Sequence, residues 1–596
     1  MDQKNKKLIL LLGIFISLVF FYLAIKGNTI ESIPVDADFG LLAVVSPFWF
    51  LAFFSSIALV LFSLFNFEKR YAFLITLFLL VFVIYALPIF VESNPRSVDT
   101  FWHFNSAIEI LSENSINFEF TDSGQSIITS VANHRIHYLI YNPGSFIILA
   151  FILETIGFQG LDLILFMKFF SLASIFLIAL LSYLFFTKLL GENKFAYFAS
   201  FFLFLGNVYI QNHISPQTFG LIFMLGTLVC FLNKNKLVRL LGLTLAAMTI
   251  LIHLPSALFL FLFLFFNIIF CYLFEIKNKL IDNIYLVGLG IIYFVYSLVF
   301  VPTILNKVLE ILSSYLLFLI PILAVILILI FLFKKRILDI SDKRTILAGL
   351  FLALIAFFVF IFFGSLEEMN LARLVRFFVL IGLSFAAVFL GYKLLRNKKV
   401  NADFLIAMNF LLIAFTFFVF QFFLTSFFGL EDRAFMLLYF GLALIFAIAI
   451  RDLKLNIKYF LVLIIILLAA NCLTMYYHEN HFFISESNLD GWAHVYEVTD
   501  SQDGIFGGID YYSMYSYYDY NSLTEDRYVD RYNLYDYPNK DLLFEYYILN
   551  DFEEFAHILY ADNNAYPYLQ PNLEANNYNL IYSNLNFLVY TSDNSG

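Results

Sequence analysis

The chain has 596 residues, of which 62% are hydrophobic and 13% charged, with a formal net charge of −10. A soluble globular chain lies nearer half apolar and a quarter charged, so a string of soluble domains is excluded. The charge is divided: from Met475 onward 20 Asp plus Glu face 3 Lys plus Arg, a balance of −17, and so acidic an exposed segment argues against a nucleic-acid partner.

Lys4, Lys6 and Lys7 precede an apolar run over 8–25 that lacks a small-residue cleavage site, which predicts a retained signal anchor. Further crossings are predicted near 41–65, 71–91, 161–187, 195–211, 215–232, 237–252, 255–275, 284–303, 311–333, 345–364, 371–395, 403–428, 433–450 and 457–474. Runs such as 311–333 and 345–364 hold about twenty uncharged, mainly apolar residues, enough to span ~30 Å of hydrocarbon. The expected fold class is an all-α polytopic membrane bundle of about fifteen transmembrane helices, with a small α+β extracytoplasmic domain at its carboxyl end. Its parts are an anchor and second helix over 1–70, a membrane domain over 71–474 with a large outer loop at 92–160, and an acidic, Tyr-rich domain over 475–596.

Threaded alternately from a cytoplasmic amino terminus, these spans put every basic cluster on one side, as the positive-inside rule requires. The clusters are Lys69/Arg70, Lys188/Lys194, Lys234/Lys236/Arg239, Lys277/Lys279, Lys334/Lys335/Arg336 with Lys343/Arg344, Arg396/Lys398/Lys399 and Arg451/Lys454/Lys458. An added crossing at 145–157 would invert every later loop. That short apolar stretch, opened by Pro143–Gly144, therefore reads as a re-entrant or interfacial helix. Cys230, Cys271 and Cys472 fall in apolar helices with no paired spacing and read as packing residues. Near the carboxyl end, 578–592 reads as two strands turning at Ser583–Asn584, and 541–560 as a short helix capped by Asp541.

The informative residues are the polar ones at the outer face, where charge is costly to desolvate. The outer loop opens Arg96-Ser-Val-Asp99-Thr-Phe-Trp102-His103, and over 99–111 it reads as an amphipathic helix lying on the membrane, with Asp99 at its start and Asp99 and His103 on one face. Further along stand Asp122, His134, Arg135, His137 and Tyr141; elsewhere on that side His213 and Gln217 flank Ser215–Pro216, and His253 precedes Pro255. No ligand spacing typical of a metal site is present. Arg373 and Arg376 open one helix and Arg433 another, and guanidinium groups there suit either a phosphate or an interfacial anchor paired with Glu367, Glu368, Glu431 and Asp432. The acidic pair Asp36 and Asp38 on the first outer loop reads as a solvated segment.

A membrane helix followed by Asp99-Thr-Phe-Trp102-His103 and Ala-Ile-Glu-Ile-Leu resembles the first outer loop of the GT-C superfamily of glycosyltransferases. Tyr141-Asn-Pro143-Gly144 resembles the start of that superfamily's next hydrophobic segment, and Arg433 its phosphate-binding arginine. The resemblance implies inverting transfer of a sugar from a polyprenyl-phosphate carrier to a glycan, lipid or protein acceptor at the outer membrane face. Asp99 would be the base or the acceptor-orienting group. Trp102, His103, His134, Arg135, His137, Tyr141, His213, Gln217, Arg373, Arg376 and Arg433 would bind substrate. The resemblance leaves the cofactor unspecified and admits a divalent cation. Asp490-Gly-Trp492 stands where oligosaccharyltransferases carry Trp-Trp-Asp-Tyr-Gly, which argues against en bloc oligosaccharide transfer.

Two other classes fit the composition. A transporter or lipid-linked-glycan flippase predicts charges at mid-membrane and broken helices in related halves, whereas here Glu154 and Lys168 alone approach helix centres. A scaffold would use the Tyr-rich domain as a contact surface.

Overall fold

A computed structural model describes chiefly residues 2–26, 39–67, 70–113, 143–157, 163–210, 213–277, 371–397, 401–423, 430–453 and 457–476, with short stretches at 288–292, 490–495, 505–506, 546–550, 579–584 and 587–591. In chain order the helices are α1 (Gln3–Ile25), α2 (Leu41–Val44), α3 (Phe48–Asn66), α4 (Arg70–Tyr85), α5 (Leu87–Val91), α6 (Val98–Glu113), α7 (Pro143–Ile156) and α8 (Leu163–Leu190). They continue as α9 (Lys194–Gly206), α10 (Pro216–Phe231), α11 (Lys236–Ile252), α12 (Leu254–Leu273), α13 (Leu371–Arg396), α14 (Ala402–Phe423), α15 (Leu430–Asp452) and α16 (Ile457–Cys472). Among the described residues six helices are long and apolar enough to cross a membrane, within α1, α3, α8, α12, α13 and α15. The expected spans at 284–303, 311–333 and 345–364, like Asp36, Asp38 and Asp122, lie mostly or wholly outside the described residues.

The middle of the bundle is α9 and α15. Every residue of α9 from Ala196 to Gly206 is buried, as is nearly all of α15 from Ala434 to Ile450. These two pack on each other, with α8, α13, α14 and α16 around them. The periphery is apolar outward: on α1, Leu11 and Phe15 are 64% and 65% exposed. Water would penalise such a surface, whereas hydrocarbon suits it. Cys230, Cys271 and Cys472 are buried and free, in keeping with a packing role.

Neighbouring helices run antiparallel and bring the chain's charges to two ends. At one end Arg70 pairs with Glu192 at 3.0 Å and Arg451 with Asp403 at 3.1 Å. At the other, Lys168 donates to the carbonyls of Glu92 and Ser93 at 2.6 and 3.2 Å. Lys168 thus sits near the start of α8, not at mid-helix.

The continuous apolar run 71–91 is two helices, not one. Pro88 lacks the N–H that would bond the Ile84 carbonyl, and the chain breaks at Ala86 between α4 and α5. Side chains from distant elements replace the lost donors. The Tyr476 hydroxyl donates to the Ile84 carbonyl, and Trp49 Nε1 to the Val83 carbonyl at 2.9 Å. Both rings are essentially fully buried, so neither carbonyl has water as an alternative. Tyr476→Phe keeps the ring and removes the donor. It should cost about 1–3 kcal/mol, read as a lower midpoint of thermal unfolding in detergent. In a Pro88→Ala background the restored N–H should shrink that cost; an undiminished cost would show that the hydroxyl acts elsewhere.

Four strands form a sheet of order β1-β2-β4-β3, from β1 (Ile505–Phe506), β2 (Tyr546–Asn550), β3 (Asn579–Asn584) and β4 (Phe587–Thr591). β2 falls inside the segment expected to be helical over 541–560. Its Tyr-Tyr-Ile-Leu run pairs antiparallel with β4, Ile548 opposite Val589, and such a run of aromatic and β-branched residues suits a strand. The two final strands are present, but Ser583 and Asn584 belong to β3. Asn584 pairs with Phe587, which moves the turn two residues onward.

Candidate functional site

The rim is built first by what holds α6. Glu92 grips Arg96 through Nε and Nη2 at 3.0–3.1 Å, with the Glu92 side chain 2% exposed. Arg96 also lies over the Tyr476 ring, 4.8 Å from its centroid. Ser97 then takes a positive φ of 67°, a sharp turn that lets the Thr100 hydroxyl bond the Arg96 carbonyl at 2.6 Å. Asp99 stands in the first turn of α6, where a helix dipole favours an acid.

The apolar face of this helix meets protein. Phe101, Phe104, Ala107 and Ile108 form one apolar face that is buried in protein, against Leu149, Ala150 and Leu153 of α7, Met167 of α8 and Ile252 of α11. Trp492, Val495 and Val589 close the same core, so the carboxyl segment covers α6 and α7. The His494 ring stacks on Tyr582 at 4.3 Å and ties the 490–495 helical stretch to β3. Trp492 is fully buried. The α7 helix begins at Pro143 as expected and has 14 residues, about 21 Å at 1.5 Å each, short of a full crossing.

One turn beyond Asp99, His103 is buried with its ring 5.5 Å from that of Phe146. Burial, and then nearby His213, push His103 down to about 3. His213 precedes the Ser215 cap of α10, and its carbonyl accepts from the Thr218 hydroxyl at 3.1 Å. In that helix's first turn, Gln217 Oε1 accepts from Arg433 Nε at 3.1 Å. This bond fixes which amide atom is oxygen, and Gln217 Nε2, buried, has no hydrogen-bond partner among the described residues. The next turn brings Gly220, where a Cβ would lie 2.6 Å from His253 Cβ and 2.7 Å from Ser256 Oγ. His253 and Ser256 are themselves bonded, Nδ1 to Oγ at 2.7 Å. Burial, then the Arg433 charge, hold His253 well below its ordinary value.

The rim therefore gathers His103, His213, Gln217, His253 and Arg433. Arg376 takes other partners: Nε donates to Thr474 Oγ1 at 2.8 Å and Nη2 to the Thr474 carbonyl. Its guanidinium lies 5.5 Å from the centroid of Tyr209, so it latches the end of α16. Trp102 and Arg373 are placed on α6 and α13, their side chains outside the described residues, as are His134, Arg135, His137 and Tyr141 entirely. Ser256 and Gly220 escaped the sequence reading. The His253-Leu-Pro-Ser256 spacing at a helix start was the available signal, because a capping position and the residue three further on face each other. Among the described residues no three His, Cys, Asp or Glu side chains gather to hold a metal ion.

The buried neutral histidines carry a pH signature. Between the ordinary 6.5 and about 3, the unfolded chain takes up a proton at His103 that the folded chain refuses. Stability is unaffected above that window and lost as pH falls through it, by about 1.4 kcal/mol per pH unit. The midpoint of thermal unfolding should drop between pH 7.5 and 5, and less steeply in His103→Gln. Parallel profiles for the two proteins would contradict it.

No family model matches the chain, and a search of the curated proteins finds no significant match.

Proposed function

We propose that the protein is an integral membrane glycosyltransferase, GT-C-like, that moves a hexosyl or pentosyl group from a polyprenyl-phosphate carrier to an acceptor at the outer membrane face. The observation that supports this most is the Arg433–Gln217 pair, whose side chains stand at the bundle end where α6 begins, Asp99 lying in its first turn. The link is short: Gln217 lies in the helix turn after His213, and His213 acts on His103, one turn from Asp99.

In this scheme Asp99 accepts the proton of the acceptor hydroxyl as its oxygen attacks the anomeric carbon. The bond from that carbon to the phosphate oxygen breaks, and the anomeric configuration inverts. The prenyl phosphate leaves with the electron pair, its charge met by Arg433 and the Gln217 amide. Apolar helix faces hold the prenyl chain, and the acceptor is a glycan, lipid or protein. The scheme leaves the cofactor unspecified and admits a divalent cation. The chain crosses the membrane about fifteen times, from a cytoplasmic amino terminus to an extracytoplasmic α+β domain over 475–596.

The test is an assay of purified protein in bilayer discs with labelled polyprenyl-phosphate sugars and membrane acceptors. Sugar transfer is expected. Solute flux in liposomes without transfer from any donor would overturn the reading in favour of a transporter.

A further inference from the structure

The helix that carries Asp99 takes no part in the main core of the bundle. Buried apolar side chains run through that core from α1 to Tyr476, and among the described residues none comes from α6 or α7. Those two helices build a second, smaller core of their own, in which α6 packs along α7. What else fixes α6 lies at its start and on its apolar face, and at both places a partner comes from beyond α16. At the start, Arg96 lies over the Tyr476 ring at 4.8 Å while Glu92 holds its guanidinium. A cation desolvated against an aromatic face is held more strongly than one in water. On the apolar face, Trp492 joins Phe101 and Phe104 in the second core, all three at 0% exposure. The segment that brings Trp492 is itself tied down on either side. Arg376 latches Thr474, the Tyr476 hydroxyl donates to the Ile84 carbonyl, and His494 stacks on Tyr582 of β3.

We infer that Trp492 is a positioning residue: from the carboxyl segment it clamps the apolar face of α6, and through that helix it fixes the place of Asp99. The indole is the largest side chain of the second core, and close-packed interiors transmit the loss of so large a group to its neighbours. Without it α6 keeps its turn at Ser97 and its packing on α7 but loses one wall of its apolar face. The helix then opens locally, while the main core, which holds no atom of α6, stays closed. Displacing a reacting group by ~1 Å costs about 10²-fold in rate, which sets the size of the effect on turnover. For the clamped helix this inference stands alone; for the reaction it rests on the transferase reading.

Hydrogen–deuterium exchange of the full-length protein in bilayer discs, read beside its turnover, tests the clamp. In Trp492→Ala the amides of α6 should exchange at least about tenfold faster, whereas those of α9 and α15 should keep their wild-type protection. Turnover should fall by about 10²-fold, and the Michaelis constant for the lipid donor, assigned to Arg433, should stay near wild type. Trp492→Phe, which keeps a ring in the second core, should recover slow exchange in α6 and most of the turnover. A merely structural tryptophan would instead speed exchange in α9 and α15 as well, and would not separate turnover from donor binding. Should Trp492→Ala fail to fold, Val589→Ala, a smaller cut in the same core, carries the same expectation for α6. Wild-type exchange of α6 in the folded variant, faster exchange spread equally through α9 and α15, or faster α6 exchange with turnover unchanged would each overturn the inference. Selective loosening of α6 in a protein that transfers no sugar from any donor would leave the clamp standing and remove the transferase. Lost turnover with α6 still protected would do the reverse.

Discussion

Asp99→Asn should lower the turnover number for sugar transfer by roughly 10²–10⁴-fold, the range a positioned general base contributes. The amide is close to the carboxylate in shape but cannot take the acceptor's proton. Asp99 stands in the first turn of α6, which Phe101 and Phe104, both fully buried, lock in place. The helix should therefore survive the change, and the unfolding midpoint should stay within a degree or two of wild type. The Michaelis constant for the lipid donor should also hold, because the donor phosphate is assigned to Arg433. Unimpaired transfer by folded Asp99→Asn would remove this residue from the chemistry.

Arg433→Ala should reduce transfer by about 10²–10³-fold, as when an electrostatic stabiliser of developing charge is lost. It should also weaken donor binding, because the guanidinium meets charge in both the ground state and the transition state. Arg433→Lys should recover little. Lysine keeps the charge but presents a point donor in place of the planar fork whose Nε meets Gln217 Oε1 at 3.1 Å. A Lys variant with near-wild-type kinetics would show that charge alone matters, and the bonded geometry at Gln217 would lose its role.

Much of the bundle was legible because apolar runs have few alternatives. The expected span 371–395 became Leu371–Arg396, and the short stretch at 145–157 became Pro143–Ile156. Local rules failed where a distant partner decided the outcome. Tyr546–Asn550 is a strand because β4, some forty residues on, pairs with it. The break before Pro88 could be suspected from the proline. That Trp49 and Tyr476 replace the missing donors could not, since Tyr476 is 392 residues from Ile84. The amphipathic pattern over 99–111 lies within α6, but its apolar side meets protein because Trp492 and Val589 arrive from the carboxyl segment. Within the site, Arg433 and Gln217 were each picked out as polar groups at helix starts. Their contact spans 216 residues of sequence, beyond any local pattern.

The proposed transferase requires the acid on α6 and the guanidinium on α15 to face water on the same side of the membrane. In a background with Cys230, Cys271 and Cys472 replaced by Ala, paired Asp99→Cys and Arg433→Cys substitutions can be tested in sealed membrane vesicles. Both thiols should react with a membrane-impermeant maleimide from the same side, and a short bifunctional maleimide should link them. Labelling of the two from opposite sides of the membrane would contradict the account.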